Sequence, residues 1–129
     1  NGFYKLTGAV HAAALRAWFS QNDWNALNFT DSRSVYQFYD LAGLWSHIET
    51  ALAAGLRVLN LATPPVSAAA VYRAVRGGTF KNELPGVPFD YDMRTEHAAL
   101  FGGAGGYLCT EEEELAGIRR FMKSWEGQA

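Results

Sequence analysis

Cysteine is nearly absent. Cys109 is the only one in 129 residues, so no internal disulfide can form and a reducing, cytoplasmic setting is expected. Basic charge is not in excess either. Eleven Lys and Arg stand against thirteen Asp and Glu, for a formal net charge of −2, and the only adjacent basic pair is Arg119-Arg120. That balance lacks the footprint of a nucleic-acid binder. No apolar run approaches the ~20 residues a membrane span needs, and the first residues carry no signal-peptide pattern. The chain starts at Asn1 without Met, which reads as a piece of a longer protein. Repeats, low-complexity tracts and dividing linkers are all missing, so residues 1–129 are expected to form one domain. Charge is sparse at 19% against 49% hydrophobic residues, which excludes a disordered chain.

Several chemical signatures are absent as well. The glycine run Gly102-Gly103-Ala104-Gly105-Gly106 departs from Gly-x-Gly-x-x-Gly because position 108 is Leu. It also lacks the Lys-Ser/Thr of a phosphate-binding loop, so it reads as a turn between helices. The histidines His11, His47 and His97 offer no i, i+4 pair, and Cys109 has no second sulfur beside it. No metal site is expected. Cys109 and His97 could form a nucleophile pair, but nothing around them activates a thiol, and a small buried Cys is the plainer reading.

What is present is periodicity. A helix is expected from a Thr7 cap to about Gln21, with Val10, Ala14, Leu15, Trp18 and Phe19 on one face. Asn22-Asp23 breaks it. Residues 24–29 read as a short strand, and residues 35–38 as a second strand in hairpin with it. Asp40 is placed to cap a helix in which Leu41, Leu44, Trp45, Ile48 and Leu52 recur at helical spacing, with Gly55 ending it. Residues 57–61 form a nearly continuous apolar run between Gly55 and Pro64, the pattern of a buried, parallel strand. Ser67 opens a helix ending at Gly77-Gly78, with Val71 and Val75 inward. Residues 79–93 read as an extended loop with a strand candidate at 89–93, and Thr95 as the cap of a short helix stopping at Gly102. In the last helix Thr110 and Glu113 form a capping box, Glu111 to Glu114 sit at its positive end, and Leu115, Ile118, Met122 and Trp125 line its inner face. The expected fold class is therefore α/β, a mixed α+β small lobe of about five helices with short strands.

Candidate chemistry is thin. The acid run 111–114 is accounted for by helix capping, so no catalytic residue is assigned there. Asp90 and Asp92 fall on one face of an extended segment, which suits a solvated edge first and a metal or sugar-hydroxyl contact second. Arg33 and Arg94 stand at element boundaries beside turn or aromatic residues, where a guanidinium can grip a phosphate or carboxylate in bidentate fashion.

Three segments in order carry a resemblance. Arg33-Ser34-Val35-Tyr36-Gln37-Phe38-Tyr39-Asp40-Leu41 is similar to an Arg-Asp-Tyr-Ile-His-Val-x-Asp-Leu segment. Leu59-Asn60-Leu61-Ala62 with Ser67-Ala68-Ala69-Ala70 is similar to a Tyr-Asn-Leu-Gly strand and a Ser-Val-x-Glu helix start. The segment from Asp92 to Gly102 is looser, similar to Asp-x-Ser-Lys-Ala-x-x-x-Leu-Gly-Trp. Together they resemble the C-terminal substrate-binding lobe of extended short-chain dehydrogenases/reductases, the NAD-dependent epimerase/dehydratase family.

The resemblance implies an oxidoreductase acting on a small molecule of the nucleotide-sugar class. NAD(P) would be bound mainly by an N-terminal half that is missing here, with no cofactor on this chain alone. The Gly-rich fingerprint and the Tyr-x-x-x-Lys pair belong to that half, so this chain would not be catalytic by itself. Arg33 matches the family's phosphate-contacting arginine, with Tyr36, Asn60 and Arg94 as weaker substrate contacts. The second phosphate-binding arginine has no match, because the corresponding loop is Asn82-Glu83-Leu84-Pro85-Gly86. The alternative is a non-catalytic nucleotide-sensing or protein-binding module with the same fold. The stripe Leu44, Trp45, Ile48 and Leu52 would lack its usual partner, so self-association or contact with the N-terminal half is expected, with no nucleic-acid or membrane partner.

Overall fold

The computed structural model describes residues 9–126, in which four α-helices and a two-stranded sheet make a small mixed α/β unit. Helix α1 (Ala9–Gln21) is alanine-rich and ends where expected. The backbone N–H and side-chain amide of Asn22 both donate to the Trp18 carbonyl, and Asp23 turns the chain at φ 56°. Thr7 and the side chain of Val10 lie outside the described residues. Trp18, Phe19, Trp24 and Phe29 then gather into a local cluster in which the Phe19 and Trp24 rings stack at 6.0 Å.

The first expected strand is a 3-10 turn, Ala26–Phe29. The Asn25 side chain accepts from the N–H groups of Leu27 at 2.9 Å and Asn28 at 3.3 Å. A short polar side chain that closes on its own backbone competes with a sheet ladder, and here it wins. The expected hairpin is therefore absent. Strand β1 (Val35–Tyr36) pairs antiparallel with β2 (Val66–Ser67), Val35 opposite Ser67 and Tyr36 opposite Val66. On its other side the Val35 N–H donates to the Phe89 carbonyl at 2.7 Å and its carbonyl accepts from Tyr91 N–H, a parallel bridge at Asp90. The strand candidate at 89–93 reduces to that bridge.

Small buried hydroxyls make this junction possible. Ser34 is almost fully buried, its Oγ accepting from Phe89 N–H at 3.1 Å and its carbonyl from Ala68 N–H at 2.9 Å. Ser32 Oγ accepts from Asn82 N–H, and Ser32 N–H donates to the Asn82 carbonyl. A larger or apolar side chain here would leave buried backbone groups unpaired.

Asp40 caps as expected, accepting from Ala42 N–H, and a 3-10 turn at Leu41–Gly43 leads into α2 (Leu44–Ala53). Gly55 ends the helix with φ 67°. The run 57–61 is extended but unpaired: no strand of the described residues lies beside it, and Val58 is 78% exposed. A parallel strand needs neighbours for its N–H and C=O groups, and the described part of the chain has none to offer. Ser67 caps α3 (Ala68–Arg76) by accepting from Ala70 N–H, and Gly77 closes it in the left-handed region.

The helix expected after Thr95 is only a 3-10 turn, Ala98–Phe101, stopped by Gly102 at φ 78°. Thr95 Oγ1 accepts from His97 N–H, but the residue that flanks the turn is His97, which makes no side-chain cap bond. Helix α4 (Glu111–Glu126) has its capping box intact, Glu113 Oε2 accepting from Thr110 N–H at 2.8 Å and Thr110 Oγ1 from Glu113 N–H at 3.3 Å. Leu115, Ile118 and Met122 are half-buried along it, while Trp125 is exposed and stacks on Phe121. Helix α4 packs mainly on α3.

The core is small: Ala62, Val66, Ala98 and Leu108. The chain exposes 9853 Å2, where a closed domain of its mass would expose roughly 6,800 Å2. Much of the exposed apolar surface lies on α2 and beyond, with Trp45 at 68% and Leu52 at 70%.

Candidate functional site

The four sequence candidates fall into three networks. Arg33 sits in the turn before β1, held by the buried Asp31. Asp31 Oδ1 accepts from Arg33 N–H at 2.9 Å and Nε at 3.0 Å, and Oδ2 from Nη2 at 2.7 Å and from Leu84 N–H at 3.0 Å. Nη2 also donates to the Leu84 carbonyl, and Nη1 lies 3.7 Å from Glu83 Oε2. The Arg33 fork holds the Asp31 carboxyl well below the usual range, and Asp31 raises the guanidinium in return. The bidentate edge is thus spent inside the turn, and the remaining nitrogen faces an acid. That geometry leaves little of Arg33 for a diphosphate.

Tyr36 belongs to a ring cluster instead. Its centroid lies 6.2 Å from Phe38, 6.5 Å from Phe89 and 6.0 Å from Tyr91, and Phe89 stacks on Tyr91 at 15°. Phe38, Phe89, Tyr91 and Met93 are exposed.

Asn60 and Arg94 are brought together. Asn60 Nδ2 donates to the Arg94 carbonyl over a long 3.4 Å. The Arg94 guanidinium forks Asp92, Nε to Oδ1 at 3.2 Å and Nη2 to Oδ2 at 2.8 Å, and lies 5.3 Å over the Tyr107 ring. Tyr107 Oη donates to the same Asp92. Arg94 first, then Tyr107, lower the Asp92 carboxyl, and Asp92 raises both partners. Beside this network Leu59, Asn60, Leu61, Ala62 and Met93 line an open hollow of about 240 Å3. A second hollow of about 230 Å3 lies between α2 and residues 56–61, lined by Ile48, Leu52, Leu56 and Val58 among others.

Three residues outside the candidate set hold this arrangement. Gln37 Nε2 donates to the carbonyls of Thr63 and Met93, and Oε1 accepts from Met93 N–H at 2.8 Å, so one amide ties three extended segments. Glu114 is buried, its Oε1 accepting from Phe38 N–H at 2.7 Å and from Thr63 Oγ1 at 3.2 Å. His47 Nδ1 meets Tyr39 Oη at 2.7 Å, and its ring packs edge-on to Phe101. Glu114 had a sequence signal: positions 114, 118 and 122 share the spacing of α4's inner face. Gln37 had none, since its partners lie 26 and 56 residues away.

Reactive chemistry is not assembled around these groups. The Cys109 thiol is pushed up to about 11 by burial and by Glu114 and Glu113, so it stays protonated. Among the described residues no group of three or more His, Cys, Asp or Glu could hold a metal ion, and no helix is long and apolar enough to cross a membrane. The 240 Å3 hollow offers an apolar lining with one polar side chain, the Asn60 amide, at its wall. Comparison with protein-family models, curated proteins and solved structures returns no match to this chain.

Proposed function

We propose that the chain is the C-terminal substrate-binding portion of an NAD(P)-dependent, nucleotide-sugar epimerase/dehydratase-like oxidoreductase of the cytoplasm. The observation that carries this reading is the pairing of an exposed apolar face on α2 with the unpaired extended run 57–61 beside it. A lobe that completes its packing against a separate sheet would present that combination. An apolar face of this kind on a monomer marks an interaction site. The three ordered segments that resemble the extended short-chain dehydrogenase lobe add to it.

On this reading NAD(P) and the catalytic residues belong to the N-terminal half, and this chain supplies substrate contacts. Asn60 lines a hollow and bonds the Arg94 carbonyl beside it, while Tyr36 offers a ring. Arg33 is the weakest of the four as a ligand, because Asp31 and Glu83 already hold it. Within the second reading, a non-catalytic nucleotide-sensing or protein-binding module, that same occupation favours protein binding.

The test is to read and express the frame upstream of Asn1 together with this chain. The expected product carries a Gly-rich strand–helix turn and Tyr-x-x-x-Lys, and changes nicotinamide absorbance when given a nucleotide sugar. A frame lacking both motifs refutes the enzyme. Tight NAD(P) binding without turnover across a broad panel selects the sensor.

A further inference from the structure

Glu114 sits in the first turn of α4, where exposed N–H groups and the helix dipole favour an ionised, solvated carboxylate. It does the opposite of what its neighbours do. The side chain turns inward and is 5% exposed. Oε1 accepts the two bonds already described, from the Phe38 N–H in the strap between β1 and α2 and from Thr63 in the loop before β2. Oε2 is buried and has no hydrogen-bond partner. One carboxyl group therefore joins α4, the strap and the loop, with half of its hydrogen-bonding capacity unused.

We propose that Glu114 is a proton-operated latch, which takes up a solvent proton on Oε2 and thereby secures the joint between α4, the 37–40 strap and the 60–65 loop. The site of protonation follows from the bonding. Oε1 is engaged by two donors, whereas Oε2 has none, so the proton goes to Oε2 and both existing bonds survive. The neutral acid buries one O–H; the ionised form buries a charge with no counter-ion, which is the costlier state.

The surroundings agree with that direction. Burial, with a smaller push from Glu111, raises the carboxyl from 4.5 to about 6 against the opposing pull of the bonds from Phe38 and Thr63. On α4 itself Glu113 is occupied by Thr110. The preceding loop contributes Cys109, whose thiol stays neutral. The strap contributes Tyr39 and Asp40, and Asp40 pairs with Arg120 at 3.3 Å. Helix α3, packed on α4, carries Tyr72, Arg73 and Arg76 in its second half. Among the described residues, Tyr39, Asp40, Tyr72 and Arg73 make no salt bridge to Glu114.

The sign of the linkage follows. The folded value lies above the unfolded one, so the contribution is fully present below pH 4.5 and is lost as pH rises through about 6. The full difference corresponds to about thirtyfold in the folding equilibrium constant. The latch also bears on the hollow at Asn60. Gln37, next to Phe38, holds Thr63 and Met93, so loosening the strap loosens the walls of that hollow. The proposal does not rest on the oxidoreductase reading.

Urea unfolding of the wild-type chain and Glu114→Gln between pH 5 and pH 8 tests it. The wild type is expected to lose about eightfold in its folding constant across that window, the part of the full difference that falls above pH 5, and the amide variant to stay flat. A variant that keeps the wild-type slope overturns the latch. Should the variant fail to fold, carbon-13 titration of the Glu114 carboxyl in the wild type decides the matter. A midpoint near 6 supports the proposal, and one at or below 4.5 refutes it.

Discussion

Replacing Gln37 by Ala removes the one amide that ties three chain segments. Its bonds to the carbonyls of Thr63 and Met93 and from the Met93 N–H would all be lost. Each is worth about 1 kcal/mol net. Water can reach Met93, which is exposed, but Thr63 is buried, so its carbonyl carries a further desolvation cost. The sum is about 2–3 kcal/mol. For a chain of 129 residues, each kcal/mol lowers the melting temperature by about 4 °C, so a drop of roughly 8–12 °C is expected. Thermal unfolding followed by circular dichroism measures it. Gln37→Glu sharpens the test, because a carboxylate keeps the Met93 N–H but faces two carbonyl oxygens. It should be worse than alanine at neutral pH and recover as the carboxyl protonates near pH 4. A Gln37→Ala shift of under ~2 °C would mean that water replaces the amide and that the segments are held by other contacts.

Two further outcomes are expected. A Cβ at Gly103 would fall on the Tyr107 carbonyl and within 2.9 Å of the Leu108 backbone, so Gly103→Ala should cost at least ~3 kcal/mol in urea unfolding. Gly102→Ala meets open space and only the strain of φ 78°, about 1–2 kcal/mol; equal costs for the two would discredit the close approach at 103. Leu52→Asp, on the exposed face of α2, should change stability by under ~0.5 kcal/mol yet reduce self-association seen by light scattering. A wild-type chain that is monomeric at high micromolar concentration would remove the case for a covered face.

The parts of the fold legible in the sequence are those decided within four residues. Asp40, Ser67 and the Thr110–Glu113 box cap their helices, and Gly55, Gly77 and Gly102 take the left-handed region at the ends. Cap chemistry is local, so the sequence carries it directly. Strands are different, because a strand is defined by a partner. The partner of β1 lies some thirty residues on, and its parallel bridge some fifty-five. The apolar residues in 24–29 look equally suitable for a strand, but Asn25 folds the backbone onto itself. The site shows the same division. Arg33 and Arg94 were visible as arginines at boundaries, but each is paired with an aspartate two residues away, which spacing alone does not reveal.

The unpaired run 57–61 and the exposed stripe on α2 are one fact seen twice. Residues 57–61 have the composition of a buried parallel strand, and α2 has the apolar periodicity of the helix that precedes one. Yet Leu52 and Val58 are exposed around the same hollow, and Trp45 is exposed on the same helix. Local propensity formed the helix, since α-helix hydrogen bonds close within the segment. It could not form the strand, whose hydrogen bonds must come from a neighbour. A self-contained domain would leave neither surface bare. On the proposed reading, a partner that covers α2 also supplies a strand edge to residues 57–61, and one that buried the apolar face without pairing that backbone would satisfy only half of what the described residues present.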